Sequence, residues 1–297
     1  MDSLEIQIYR RYKELVYAEV GVEVLPSVKP QSVHFTDLVE KYDAFCFDGY
    51  GTLYNRGLFV YPGALDWFSE LRKQGKLVRL VTNAASDVEA VLASDADKRG
   101  FDFKPEETIS SGGLFDSLVL ELRSEGYKLR EVYYIGRETG KNVLSKSGVT
   151  ACENPEEAIV AVSSSTATEE MFNHAVEILS RGRSLLLVLN SDAWAPNIDG
   201  SRSPVSGALS ERLRMATNAR TKYLGKPFPA IWDRVRKSLP LGARVLMVGD
   251  TLGTDVFGAQ VAGFDSALVV GRNVPKESLA DDEAALGIRP NYYLMLD

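Results

Sequence analysis

Cysteine and histidine are nearly missing from this chain, with two of each in 297 residues. Cys46 and Cys152 stand in unrelated contexts, which excludes a disulfide scaffold or a cysteine-rich zinc site and fits a reducing compartment. His34 and His174 leave little for a histidine-cluster metal centre, and a Ser-His-Asp triad would have to rest on one of them. No run of about 18 apolar residues occurs, so no transmembrane helix is expected. The opening MDSLEIQIYRRYKEL carries charges throughout and does not read as a signal peptide, so a cytoplasmic protein is expected. Positive charge is also in deficit: 34 Lys and Arg against 41 Asp and Glu give a net charge of −7. Such a field repels phosphate backbones and anionic lipids, so neither a nucleic acid nor a membrane surface is an expected partner. Internal repeats and low-complexity tracts are absent too.

What remains is an ordinary globular composition, 45% hydrophobic and 25% charged, at a length that suggests about two domains. Leu4, Ile8, Tyr9, Tyr12, Leu15 and Val16 recur at helical spacing and predict an amphipathic helix over 4–18, expected to pack on the core, with binding of a partner as the alternative. Residues 25–30, with Pro26 and Pro30, read as a connector. Thereafter short apolar runs alternate with amphipathic segments. Strands are expected at 44–47, 77–81, 132–135, 158–162, 185–189, 245–248 and 267–270. Helices are expected at 64–74, 86–98, 113–125, 168–180, 230–238 and 256–262. This alternation implies an α/β fold with a mostly parallel sheet covered by helices on both faces.

Ligands of such sheets gather beyond the carboxyl ends of the strands. Three of those ends carry Asp48-Gly49-Tyr50-Gly51-Thr52-Leu53, then Thr82-Asn83-Ala84-Ala85-Ser86, then Gly249-Asp250-Thr251-Leu252-Gly253-Thr254-Asp255. Gly225-Lys226-Pro227 adds a cation. Three gathered carboxylates repel one another unless something positive sits among them. A hard divalent cation such as Mg2+, taking oxygen ligands, supplies that charge. With a lysine and a threonine hydroxyl alongside, the set suits a dianionic phosphoryl group, which a carboxylate can accept as nucleophile.

These motifs resemble those of the haloacid dehalogenase superfamily: Asp48-x-Tyr50-Gly51-Thr52-Leu53, Thr82, Lys226 in Gly-Lys-Pro, and Gly249-Asp250-Thr251 with Thr254-Asp255, in the expected order. More narrowly the chain looks like the NagD-like and p-nitrophenyl phosphatases, through Pro62-Gly63-Ala64, Val81-Thr82-Asn83, Asn190-Ser191-Asp192 and Leu224-Gly225-Lys226-Pro227. The likeness spans about residues 40–275. It implies a Rossmann-like parallel-sheet core over 35–113 and 213–297, an inserted α/β cap over 114–212, and an N-terminal helical extension over 1–34. It further implies that Asp48 is the nucleophile and a Mg2+ ligand, with the Tyr50 carbonyl, Asp250 and Asp255 completing the metal site. Thr82 and Lys226 are then catalytic. Gly49, Tyr50, Thr82, Asn83 and Lys226 touch the phosphoryl group, and Asp192 and Trp194 reach in from the cap, with a packing role in the cap core as the alternative for Trp194. The implied substrate is a small phosphorylated metabolite such as a sugar or polyol phosphate, and a homodimer is an expected assembly.

One position departs from the family. Its phosphatases carry an aspartate two residues after the nucleophile as general acid and base; here Tyr50 stands there. Tyrosine, with an ordinary pKa near ~10, is a poor base at neutral pH. The Asp-x-Tyr-Gly-Thr-Leu pattern also looks like the 2-haloacid dehalogenases, so cleavage of a carbon–halogen bond is an alternative, as is a degenerate binding protein. The paired acids of the fourth motif and the placement of the insertion favour phosphoryl chemistry. Gly136-Arg137-Glu138-Thr139-Gly140-Lys141-Asn142 is one residue short of a nucleotide-binding loop and lacks its Ser or Thr, so it is rejected as one. Cys46 is expected to be buried and inert, and His34 and His174 to be packing or surface residues.

Overall fold

The computed structural model describes residues 1–24 and 29–294. Most of the expected connector, residues 25–28, therefore lies outside the described residues. In chain order the strands are β1 (Gln31–Val33), β2 (Ala44–Phe47), β3 (Leu77–Thr82), β4 (Thr108–Ser110), β5 (Glu131–Ile135), β6 (Thr150–Ala151) and β7 (Ile159–Val162). They continue as β8 (Leu185–Val188), β9 (Trp194–Pro196), β10 (Arg202–Pro204), β11 (Arg220–Tyr223), β12 (Val245–Gly249), β13 (Asp265–Val269) and β14 (Tyr292–Leu294). Seven form a first sheet in the order β1-β14-β13-β12-β2-β3-β4, all parallel. Five form a second parallel sheet, β11-β8-β7-β5-β6, and β9 pairs antiparallel with β10.

The central strands are buried on both faces, as their unbroken apolar runs require. Successive side chains of β2 serve opposite layers: Ala44 and Cys46 join one apolar cluster, Phe45 and Phe47 another. The N-terminal helix, Ser3–Val20, packs as expected. Its Ile8, Tyr9, Tyr12 and Val16 are fully buried against Leu252, Val256, Phe257 and Leu268. Burying each such side chain contributes about 1.5–3 kcal/mol.

Two expected boundaries are corrected. The second sheet does not end at residue 212, which falls inside the helix Ser206–Thr217; it takes in β11 as an edge strand. Arg-Thr-Lys-Tyr has no apolar run because that edge is only half-buried, so its pattern was silent. The first 34 residues are also more than a helical extension, since β1 pairs with β14 at the edge of the first sheet. Its Gln-Ser-Val sequence, exposed along most of its length, gives no strand signal.

Candidate active site

The site grows from three adjacent strands. Asp48 follows β2, Thr82 closes β3, and Asp250 follows β12. Because β2 lies between β12 and β3, chain connections leave to opposite sides there and open a crevice at the carboxyl ends. Beyond Asp250 a single π-helical turn, Leu252–Val256, bends the chain back. Asp255 Oδ2 thereby accepts from the backbone N–H groups of Asp250 and Thr251, both at 3.1 Å. Lys226 arrives from the other direction, three residues after β11. Asn83 grips it on both sides, accepting from the Lys226 N–H at 2.6 Å and donating to its carbonyl at 3.1 Å. Gly225 makes this clasp possible: its φ is +85°, and a Cβ there would lie 2.3 Å from Asn83 Oδ1.

These elements bring the five residues of the expected machinery together. Lys226 Nζ lies 2.6 Å from Asp48 Oδ1 and 2.7 Å from Asp255 Oδ1, and donates to the Val81 carbonyl at 2.8 Å. Carboxylate oxygens of Asp48, Asp250 and Asp255 fall within 4.8 Å of one another. Exposure is 7% for Asp48, 2% for Asp250 and Asp255, and 1% for Lys226. Two of the three buried acids, Asp48 and Asp255, thus share one ammonium, and Asp250 stands beside them without it. Burial pushes the Asp48 carboxyl up, with Asp255 and Asp192 adding to the rise and Lys226 opposing it. Burial also raises Asp250 strongly, reinforced by Asp48 and Asp255. Burial alone would depress Lys226, but Asp255, Asp48 and Asp192 together drive it upward, so it stays charged.

The donor set fits a hard divalent cation. Asp250 Oδ2 is buried without a hydrogen-bond partner, a costly state for a charged oxygen unless an ion meets it. Gly51, at φ +95°, gives it room, since a Cβ there would sit 1.9 Å from that oxygen. Asp255 Oδ2 is tied to the turn, and its Oδ1, though without a hydrogen bond, faces the Lys226 ammonium at 2.7 Å, whereas Asp250 Oδ2 faces no cation among the described residues.

Above these groups a cleft of about 630 Å³ separates the two sheets, lined by Asp48, Tyr50, Thr82, Arg137, Ser165 and Asp192 among others. Asp192 is pushed up to about 6, chiefly by burial, and accepts from Asn83 Nδ2 at 2.7 Å. Tyr50, 37% exposed, stands edge-on to Tyr54 at 5.1 Å. Burial raises its phenol, which keeps it neutral.

Three expected contacts are placed differently. The Asn83 side chain is spent on Lys226, Ser191 and Asp192, so it positions rather than faces the cleft. Trp194 packs with the apolar cluster under the N-terminal helix and does not line the cleft. Gly49 does not line it either; its carbonyl closes the loop by accepting from Leu53 and Tyr54 N–H groups at 2.9 and 3.1 Å. Conversely, the rejected nucleotide-loop fragment supplies Arg137 to the cleft, and Ser163–Thr166 adds a row of hydroxyls. That row follows β7 at its carboxyl end, the signal that would have found it.

Comparison with known proteins agrees with this geometry. Residues 45–150 match a haloacid dehalogenase-like hydrolase family model, and residues 223–294 match a second, HAD-hydrolase-like model. Mouse chronophin is 27% identical over 271 residues, covering 87% of this chain and 91% of that protein. The structure of a possible sugar phosphatase from Cytophaga hutchinsonii shares the fold, with a TM-score of 0.77 at 24% identity over 90% of this chain and 98% of that one. The calcium complex of a glycerol phosphate phosphatase from Mycobacterium tuberculosis is 25% identical, with a TM-score of 0.67 over 86% of this chain and 74% of that one.

Proposed function

The chain belongs to the haloacid dehalogenase-like hydrolases, on the side of the NagD-like and 4-nitrophenyl phosphatases, and we propose that it is a Mg2+-dependent phosphatase of small phosphorylated metabolites such as sugar or polyol phosphates. The observation that carries this reading is the unpartnered Asp250 oxygen beside the Asp48–Lys226–Asp255 cluster on the cleft floor. Asp48 attacks phosphorus with its carboxylate and becomes an aspartyl-phosphate as the P–O bond to the leaving group breaks; water then releases phosphate. Lys226 favours the ionised form of Asp48 against the burial that opposes it, and spreads the charge of the transferred group. Thr82, lining the cleft, donates its hydroxyl to a phosphoryl oxygen. A divalent cation held by Asp48, Asp250 and the Tyr50 carbonyl, with Asp255 supporting, supplies further charge neutralisation when bound. The second sheet is the cap that selects the substrate, through Asp192, Arg137 and the hydroxyl row. A cytoplasmic homodimer belongs to the same proposal.

Tyr50 shapes the substrate range. General acid catalysis typically contributes ~10²–10⁴-fold, and a neutral phenol with a raised pKa supplies little of it. Aryl phosphates, whose leaving groups depart without a proton, should therefore turn over much faster than alkyl phosphates. The test is phosphate release from p-nitrophenyl phosphate and a panel of alkyl phosphates, with Mg2+ and with EDTA. Release that vanishes in EDTA supports the proposal. Release that survives chelation, or halide release from a 2-haloacid instead, contradicts it.

A further inference from the structure

A hydrogen-bonded chain of side chains runs from the N-terminal helix to the site. Glu5, in the first turn of that helix, is fully buried, and its Oε1 lies 2.5 Å from Arg202 Nη2. Arg202 Nε donates to Asn273 Oδ1 at 3.0 Å. Asn273 Nδ2 donates to Thr251 Oγ1 at 2.7 Å and to the Trp194 carbonyl at 3.1 Å. Thr251 Oγ1 donates to Asp250 Oδ1 at 3.0 Å. Five residues from four distant segments are thereby linked in one line.

The order of donors in this line is imposed from its outer end. A guanidinium only donates, so the oxygen of the Asn273 amide must face it and the NH2 group must face Thr251. The Thr251 oxygen, receiving that N–H, directs its own proton to Asp250 Oδ1. The other Asp250 oxygen is the unpartnered one. Glu5 has no local need for this arrangement: its second oxygen is buried without a partner, and burial raises its carboxyl, only partly countered by Arg202. A buried pair of this kind is a weak source of stability and a strong source of fixed geometry.

We propose that Glu5, Arg202 and Asn273 are positioning residues which, through Thr251, hold the Asp250 carboxylate in the pose that presents Oδ2 to a divalent cation, so that the N-terminal helix is part of the metal site. The inference rests on the reading of Asp48 and Asp250 as metal ligands. Partners of this outer kind typically alter metal affinity by ~10–100-fold when removed.

The test is a Mg2+ titration of the whole chain followed by the rise in unfolding temperature, which needs no substrate. Asn273→Ala should move the titration midpoint up by about tenfold, and Glu5→Gln by about threefold, being further along the line. Ile8→Val, which trims the same helix interface outside the line, should lower the metal-free unfolding temperature and leave the midpoint unchanged. Should Asn273→Ala fail to fold, Glu5→Gln, equal in size, carries the test. Unchanged midpoints in Asn273→Ala and Glu5→Gln, or an equal displacement in Ile8→Val, would overturn the proposal while leaving the metal reading intact. A wild-type chain that Mg2+ does not stabilise would instead remove the metal reading and this inference with it.

Discussion

The two walls of the cleft are built on opposite principles. The floor, built on the first sheet with Lys226 brought in by the loop after β11, sequesters charge: Asp48, Asp250, Asp255 and Lys226 are all under 10% exposed and are fixed by one another, by a π-turn and by the Asn83 clasp. The roof, supplied by the second sheet, is wetter: Arg137, Ser165 and Thr166 are exposed, with Asp192 its one largely buried charge. Buried charges act strongly on a reacting group because little water screens them, and they tolerate little change. Exposed hydroxyls and a lone guanidinium act weakly and can be altered freely. On the proposed function, chemistry would be fixed by the floor and choice of substrate left to the roof.

If that contrast is real, substitutions should split accordingly. The largest effect is expected for Asp48→Asn, which removes the attacking oxygen: phosphate release should fall by about four orders of magnitude or more with the circular dichroism spectrum unchanged. Next is Lys226→Met, which leaves buried Asp48 and Asp255 without their ammonium. Metal-free unfolding at pH 7.5 should show a loss of about 3–5 kcal/mol, shrinking at pH 5 as the carboxyls take up protons. The wild type carries a milder form of the same strain. Asp48, Asp250 and Asp192 are all raised above the ordinary carboxylate value, Asp192 to about 6. In their neutral forms they favour the folded state below that ordinary value, and this contribution is lost as pH rises through the folded values. Metal-free unfolding temperature should thus decline from about pH 4 to beyond pH 6, and the Mg2+-induced rise should be larger at pH 7.5 than at pH 5.5, because ligands must be deprotonated. The smallest effect belongs to the roof: Ser165→Ala should change KM by less than about tenfold and kcat by less than twofold, the loss of one solvated hydrogen bond. A roof substitution that abolished turnover, or a floor substitution that changed only KM, would break the comparison.

Legibility in the sequence follows the same division. The central strands announced themselves because burial on both faces demands unbroken apolar runs, and 44–47 was read to the residue. The floor was readable because its side chains must sit just past those strands. The edge strands β1, β4, β6 and β11, and β14 next to an edge, were silent: they are short or partly polar, and their pairing comes from neighbours brought in by the chain's return. Trp194 and Asn83 were misplaced for a related reason. A motif tells which residues are near a site, but whether a side chain turns to the cleft, to a clasp or to an apolar cluster depends on surfaces contributed by distant segments, here the N-terminal helix and the loop that carries Lys226.

The account stands on Asp48 facing phosphorus while Asp48 and Asp250 share a cation. A crystal structure with Mg2+ and BeF3−, a mimic of the aspartyl-phosphate, tests both at once. The expected result is beryllium bonded to an Asp48 oxygen, Lys226 Nζ and the Thr82 hydroxyl on its fluorides, and the cation in contact with the free oxygen of Asp250. Beryllofluoride held elsewhere, or bound to Asp48 with no cation touching Asp250, would contradict it.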